Sequence, residues 1–225
     1  MTVFTVLLLV LALAAAGTPK PQDGESALPV LEARQVAINL AYDPPEKLTS
    51  LQGVNPEAVA WLSAPLLGLD EPLMQAGDNE KYLETGPEGE RSRDGSLFLD
   101  FECESDFSGR HLIIYGHSFR NGGKFAPLSS LANEDGFRNF SRDITIYTPE
   151  RAIPLLIVGL DTAPAESSRR RTVFFSSEDF LSYAEGLLAS CDLVRESGEY
   201  KRLYSFITCN YEDEDFRLYV YAVEA

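Results

Sequence analysis

The chain has 225 residues, 44% hydrophobic and 24% charged, a globular composition that excludes a mostly disordered protein and allows one or at most two domains. Nineteen Lys and Arg against 35 Asp and Glu leave a net charge of −16, which argues against binding nucleic-acid backbones or anionic lipid. With two His, three Cys, no Cys-x-x-Cys spacing, no P-loop and no Gly-x-Gly-x-x-Gly run, neither a structural zinc site nor nucleotide chemistry is expected.

Residues Val3 to Ala16 are apolar apart from Thr5. Residues 1–17 reach about 25 Å as a helix, marginal against a bilayer core of roughly 30 Å, and Ala14, Ala15, Ala16 and Gly17 suit a signal-peptidase site. They are read as a signal peptide or membrane anchor, residues 18–29 with Pro19, Pro21 and Gly24 as a linker, and residues 30–225 as one folded domain. The domain is therefore expected at the extracytoplasmic face of the cell membrane, N-terminally anchored, or secreted after cleavage. Apolar residues at 30, 31, 33, 36, 37 and 40 have a helical period. Asn55-Pro56-Glu57 reads as the start of a further helix through Ala58, Val59 and Leu62, turning extended by Trp61.

After that the period changes. Leu69–Gln75, Ser96–Phe101, His111–His117, Asp143–Thr148, Ala152–Leu160, Leu203–Cys209 and Phe216–Val223 are rich in Ile, Leu, Val, Phe and Tyr and read as strands. Asp94-Gly95, Ser108-Gly109, Asn121-Gly122-Gly123 and Thr148-Pro149 supply turns. One helix interrupts the late strands; Ser177-Glu178-Asp179 starts it, and Phe180, Leu181, Ala184, Leu187 and Leu188 form its apolar face. Seven or eight short strands with a late helix predict a closed or nearly closed β-barrel.

The chemistry narrows to few side chains. Leu203 to Cys209 and the run from Arg217 form a hairpin; a register with Ile207 facing Tyr219 and Ser205 facing Tyr221 sets Cys209 opposite Arg217 on one face. There a guanidinium can favour a thiolate or bind an oxyanion. The same spacing also suits a buried Cys beside a surface Arg paired with Asp213 or Asp215. His117 ends the apolar run Leu112-Ile113-Ile114-Tyr115-Gly116 where a Gly-rich loop begins, which suits either a site or a polar strand end. His111, at the start of that run, is expected to face solvent. Acidic neighbours of Cys103 and Cys191 disfavour their thiolates. Cys209 is thus the candidate nucleophile and His117 its candidate base or acid.

In this order the residues resemble the class B sortases, cysteine transpeptidases of Gram-positive surfaces. Tyr115-Gly116-His117-Ser118 is similar to the family's catalytic His motif, and Thr208-Cys209 followed by Arg217 to its Cys and Arg signature. Asn55-Pro56 with Ala60-Trp61-Leu62, Pro72-Leu73-Met74-Gln75 with Asp78-Asn79 and Tyr82-Leu83, Gly95 to Asp100, Phe125 with Leu128, and Ile146 to Pro149 fit as well. The likeness covers roughly residues 30–225. It implies an α+β, mainly β fold: an eight-stranded sortase barrel with N-terminal helices and a long helix (Glu178–Cys191) between the penultimate strands. It implies that His117, Cys209 and Arg217 are catalytic and that Asn79, Leu83, Tyr115, Tyr183 and Thr208 line the peptide groove. The implied reaction needs no metal or other cofactor. Its partners are secreted proteins with a C-terminal sorting motif of the LPxTG or NPxTN kind, and an amine from a peptidoglycan cross-bridge or its lipid-linked precursor. The enzyme is expected to be a monomer that binds no nucleic acid. Two rivals stand beside this reading: a pilin polymerase using a pilin Lys as acceptor, and a retired sortase barrel that only binds.

Overall fold

The structure, a computed structural model, describes residues 42–118, 123–210 and 216–225, with the backbone alone at Cys209 and Asn210. The expected leader or anchor, the linker and the helix at 30–40 lie outside the described residues.

The chain enters through helix α1 (Glu46–Val54). Pro45 fixes the residue before it, and Glu46 places a negative charge at its N-terminus, where the helix dipole favours one. Asn55 ends this helix instead of starting the next. Its backbone is extended, and its side-chain oxygen accepts from the Glu57 N–H, turning the chain into strand β1 (Ala58–Ala64). The run expected to be helical is therefore a strand with strictly alternating burial, in which Ala58, Ala60, Leu62 and Ala64 are buried. Because nearly every residue there is apolar, a period of 2 and a period of 3.6 fit the sequence equally well.

The remaining strands are β2 (Leu69–Met74), β3 (Leu97–Leu99), β4 (His111–Ser118), β5 (Thr145–Tyr147), β6 (Ala152–Pro164), β7 (Leu193–Val194), β8 (Leu203–Asn210) and β9 (Phe216–Glu224). Pairing runs β5-β1-β2-β3-β4-β8-β9-β6, and β5 also pairs with β6. The sheet thus closes into an eight-stranded barrel, with the two-residue β7 added along β6. Two pairings are parallel, β2 with β3 and β4 with β8. The expected strand Ser96–Phe101 shortens to β3: the Asp100 N–H still donates to the Ile113 carbonyl at 2.8 Å, and the chain turns away at Phe101. Short helix α2 (Glu134–Asn139) is capped by Asn133. Helix α3 (Ser177–Ala189) starts one residue earlier than expected, with the Ser176 hydroxyl accepting from the Asp179 N–H. Its apolar face buries Phe180, Ala184 and Leu187.

The expected membrane-anchored placement is corrected by this inventory. No helix among the described residues is long and apolar enough to cross a membrane. The longest of them, α3 with 13 residues, reaches about 20 Å against a bilayer core of roughly 30 Å. The apolar stretch from which the anchor was read, residues 1–17, lies outside the described residues.

Candidate active site

Strand β4 carries the candidate His, and its partner strand carries the candidate Cys. The parallel β4–β8 ladder keeps one register throughout, from His111 beside Leu203 to His117 beside Cys209. Neighbouring strands lie about 4.8 Å apart, and paired residues share a face of the pleat. His117 and Cys209 therefore occupy the same register position on adjacent strands. The antiparallel β8–β9 ladder pairs Ser205 with Tyr221 and Ile207 with Tyr219, the register expected from the sequence. The paired stretch ends there; the same register continued by two residues would bring the Cys209 backbone opposite Arg217. In that interval the Leu218 N–H donates to the Thr208 hydroxyl at 2.9 Å. Arg217 is half-buried, lies beside Ala163 of β6, and donates to the Phe216 carbonyl at 3.1 Å. His117 beside Cys209, with Arg217 on the strand next to β8, make up the candidate row across β4, β8 and β9.

His117 is buried, and its Nε2 lies 2.7 Å from the Leu83 carbonyl. A carbonyl only accepts, so Nε2 carries a proton and donates it to Leu83. Leu83 ends a short 3-10 turn, Lys81–Leu83, which the Asp78 carboxylate holds by accepting from the Glu80 and Lys81 N–H groups. Gly95 lies under this turn with φ +58°; a Cβ there would come within 2.3 Å of the Tyr82 carbonyl. Gly116, between Tyr115 and His117, packs so closely that a Cβ would sit 2.4 Å from Leu97 and 2.7 Å from Phe125.

The expected groove residues divide into two sets. Asn79 and Tyr115 meet at one buried carboxylate: both donate to Asp100 Oδ2, at 3.0 and 2.8 Å. Tyr115 is on the His117 face of β4, two residues earlier. Leu83 lies at the ring of His117, as above. Thr208, also buried, faces the other way along β8 and closes the base of the hairpin. Tyr183 is elsewhere. Its ring lies 5.7 Å from that of His111, and its hydroxyl accepts from the Arg171 N–H. That is the far end of β4, six residues or about 20 Å from His117 at ~3.3 Å per residue.

His111 does not face solvent as expected. It is buried, with Nδ1 2.7 Å from the Arg171 carbonyl and Nε2 2.7 Å from the Ser205 hydroxyl. The segment between β6 and α3 covers it, a long-range contact no local pattern announces. Burial pushes its pKa down to about 4. The folded state therefore resists protonation that the unfolded chain accepts near pH 6.5. Stability from His111 is complete above pH 6.5 and is lost as the pH falls toward 4, by up to ~3 kcal/mol. Urea unfolding of the wild type should weaken more steeply across that window than that of His111→Gln; parallel slopes would show that His111 does not titrate this way.

The other thiols are poor nucleophiles. Burial, more than the acidic neighbours, pushes Cys103 up to about 12, and burial does the same to Cys191. Sequence reasoning passed over the charged groups beneath the row. Arg169 is buried against Asp161 at 2.7 Å and the Tyr221 hydroxyl at 3.0 Å, with its guanidinium 4.7 Å over Tyr219. Arg170 pairs with Asp100 and Arg171 with Asp179. The run Arg169-Arg170-Arg171 was the available signal. No cluster of three or more His, Cys, Asp or Glu fit to hold a metal occurs among the described residues.

Comparison with known proteins follows the same line. Sortase B of Listeria monocytogenes is 34% identical over 90 residues, 40% of this chain and 37% of that protein. Sortase B of Staphylococcus aureus is 35% identical over 85 residues, 38% of this chain and 35% of that protein. The matched stretch thus takes in little more than a third of these curated relatives. No family model matches the chain. The crystal structure of sortase B from Clostridium perfringens superposes with a TM-score of 0.72 at 26% identity, over 79% of this chain and 98% of that one. A substrate complex of the Staphylococcus aureus sortase B gives 0.75 at 20% identity, over 88% and 93%. Sequence relatives and structural neighbours agree, and the family they support is the class B sortases.

Proposed function

We propose that this chain is a cysteine transpeptidase acting on sorting motifs of the LPxTG or NPxTN kind. The observation that carries the reading is the parallel β4–β8 register, which sets His117 beside Cys209, with Arg217 on the neighbouring strand β9. The substrate complex known for a Staphylococcus aureus sortase B supports a peptide substrate. In the first half-reaction the Cys209 thiolate attacks the carbonyl carbon of the motif's Thr. The C–N bond then breaks, and protonated His117 gives its proton to the departing amine. In the second half an incoming amine attacks the thioester, His117 takes a proton from it, and the thiolate leaves as the new amide forms. Arg217 donates to the oxyanion that develops in each step. The amine acceptor in this reading is a peptidoglycan cross-bridge or its lipid-linked precursor.

The test is incubation of the protein with LPxTG-type and NPxTN-type peptides, with and without triglycine, read by intact-mass spectrometry. A thioacyl adduct on Cys209 and a triglycine-ligated product are expected. Absence of both adduct and cleavage for every peptide overturns the reading.

Arg217 allows charge and geometry to be separated. Lys keeps the positive charge and loses the planar fork of donors. If Arg217 holds an oxyanion by directed hydrogen bonds, Arg217→Lys should lose nearly as much as Arg217→Ala. The expected loss in kcat/KM is about a hundredfold, or ~3 kcal/mol. Activity of Arg217→Lys within about threefold of wild type, on the scale of that same donor loss, would leave Arg217 an electrostatic role only.

A further inference from the structure

Asp100 is fully buried and carries four polar partners. Its Oδ2 accepts from Asn79 Nδ2 at 3.0 Å, the Tyr115 hydroxyl at 2.8 Å and Arg170 Nη2 at 3.0 Å. Its Oδ1 accepts from the Glu102 N–H at 3.0 Å. A buried carboxylate is costly unless it is hydrogen-bonded and a counter-ion is near; here both oxygens accept and Arg170 is the counter-ion. The three donors on Oδ2 come from three separate parts of the chain: the loop before the Lys81–Leu83 turn, strand β4, and the segment between β6 and α3.

Two of those attachments bear on His117. Asn79 lies just ahead of the turn whose Leu83 carbonyl meets His117 Nε2, and its own oxygen accepts from the Phe101 N–H. Tyr115 shares the pleat face of His117 two residues away. Arg170 closes the arrangement from outside, with its guanidinium 5.4 Å over the Tyr115 ring and its side chain 44% exposed. Asp100 thus ties together both supports of the candidate acid–base residue.

We propose that Asp100, with Arg170 as its counter-ion, is the positioning residue of this site: it orients Asn79 and Tyr115 along the groove and, through the Lys81–Leu83 turn, holds the His117 ring. This rests on the site assignment above and adds a residue which that assignment does not use. The carboxylate is required, not only its shape. An Asn at position 100 has one accepting oxygen and two N–H donors. Placed toward Asn79, Tyr115 and Arg170, its oxygen leaves an N–H facing the Glu102 N–H; turned round, it opposes three donors with two more.

The experiment uses the full chain and two readouts. The protein has only two His, so imidazole nitrogen spectra report His117 once the His111 signals are assigned with His111→Gln. Asp100→Asn should move or broaden the His117 signals. It should also raise KM for the sorting peptide by about tenfold or more, the scale on which partners behind a site residue act, with a smaller change in kcat. Arg170→Gln, altered at a partly exposed position, should reproduce the effect if Asp100→Asn does not fold, and Arg170→Lys should restore most of it. In a folded Asp100→Asn or Arg170→Gln protein, His117 signals and KM matching wild type overturn the proposal. A wild type that cleaves no peptide speaks against the transpeptidase reading alone; the His117 spectra then decide this one.

Discussion

Cys209→Ala should abolish both peptide cleavage and amine transfer while leaving the fold intact. Removing a covalent nucleophile costs up to about six orders of magnitude in rate, because no other group on the same scaffold can form the acyl intermediate. The other two thiols cannot take over. Cys103 is buried, bonded to the His111 carbonyl, and pushed up to about 12; Cys191 is likewise pushed up to about 12 and packs against α3 through the Leu187 carbonyl. Cys103→Ser and Cys191→Ser should therefore keep near wild-type turnover. The measurement is kcat/KM on one fluorogenic sorting peptide for all three variants, with thermal melting alongside. Substantial turnover by Cys209→Ala, or its loss in either control with normal melting, assigns the chemistry to another thiol.

His117→Ala should lower kcat by at least about two orders of magnitude, the usual scale for general acid–base catalysis. An amine leaves poorly without a proton, and the row offers no second donor of suitable acidity. His111 cannot substitute. It is six residues back along β4, its two nitrogens are engaged by Arg171 and Ser205, and burial holds it neutral until about pH 4. The loss should appear in single-turnover acylation as well as in steady state, since the leaving amine is protonated in that half-reaction. An acylation rate for His117→Ala within about threefold of wild type, far inside the acid–base range, removes His117 from the mechanism.

Much of the site was legible from local pattern. The β8–β9 register follows from a single short hairpin, where alternation of Ser205, Ile207, Tyr219 and Tyr221 leaves one pairing that keeps the apolar side chains inward. Helix α3 was legible because its acidic first turn and apolar stripe are both encoded within 13 residues, although the capping Ser proved to be Ser176, just ahead of them. The motif Tyr115-Gly116-His117 singled out the strand end that pairs with Cys209, and Gly116 is needed there because Leu97 and Phe125 fill the space a Cβ would take.

Other features depended on contacts between residues far apart in the chain. Strand β1 was misread because Ala58 to Leu62 is apolar on both faces, so only pairing with β2 and β5 selects the extended form. The alignment of His117 with Cys209 comes from a parallel pairing, which no turn can set. His111 is buried because the Arg171 segment crosses over it, and Tyr183 follows it away from the row. Asp100 gains its partners only when that segment brings Arg170 to β4 and the Asn79 loop. Periodicity, capping and hairpin register are short-range and can be read along one dimension. Burial of a charge and the meeting of three loops are set by closure of the barrel, so they became visible only in the folded chain.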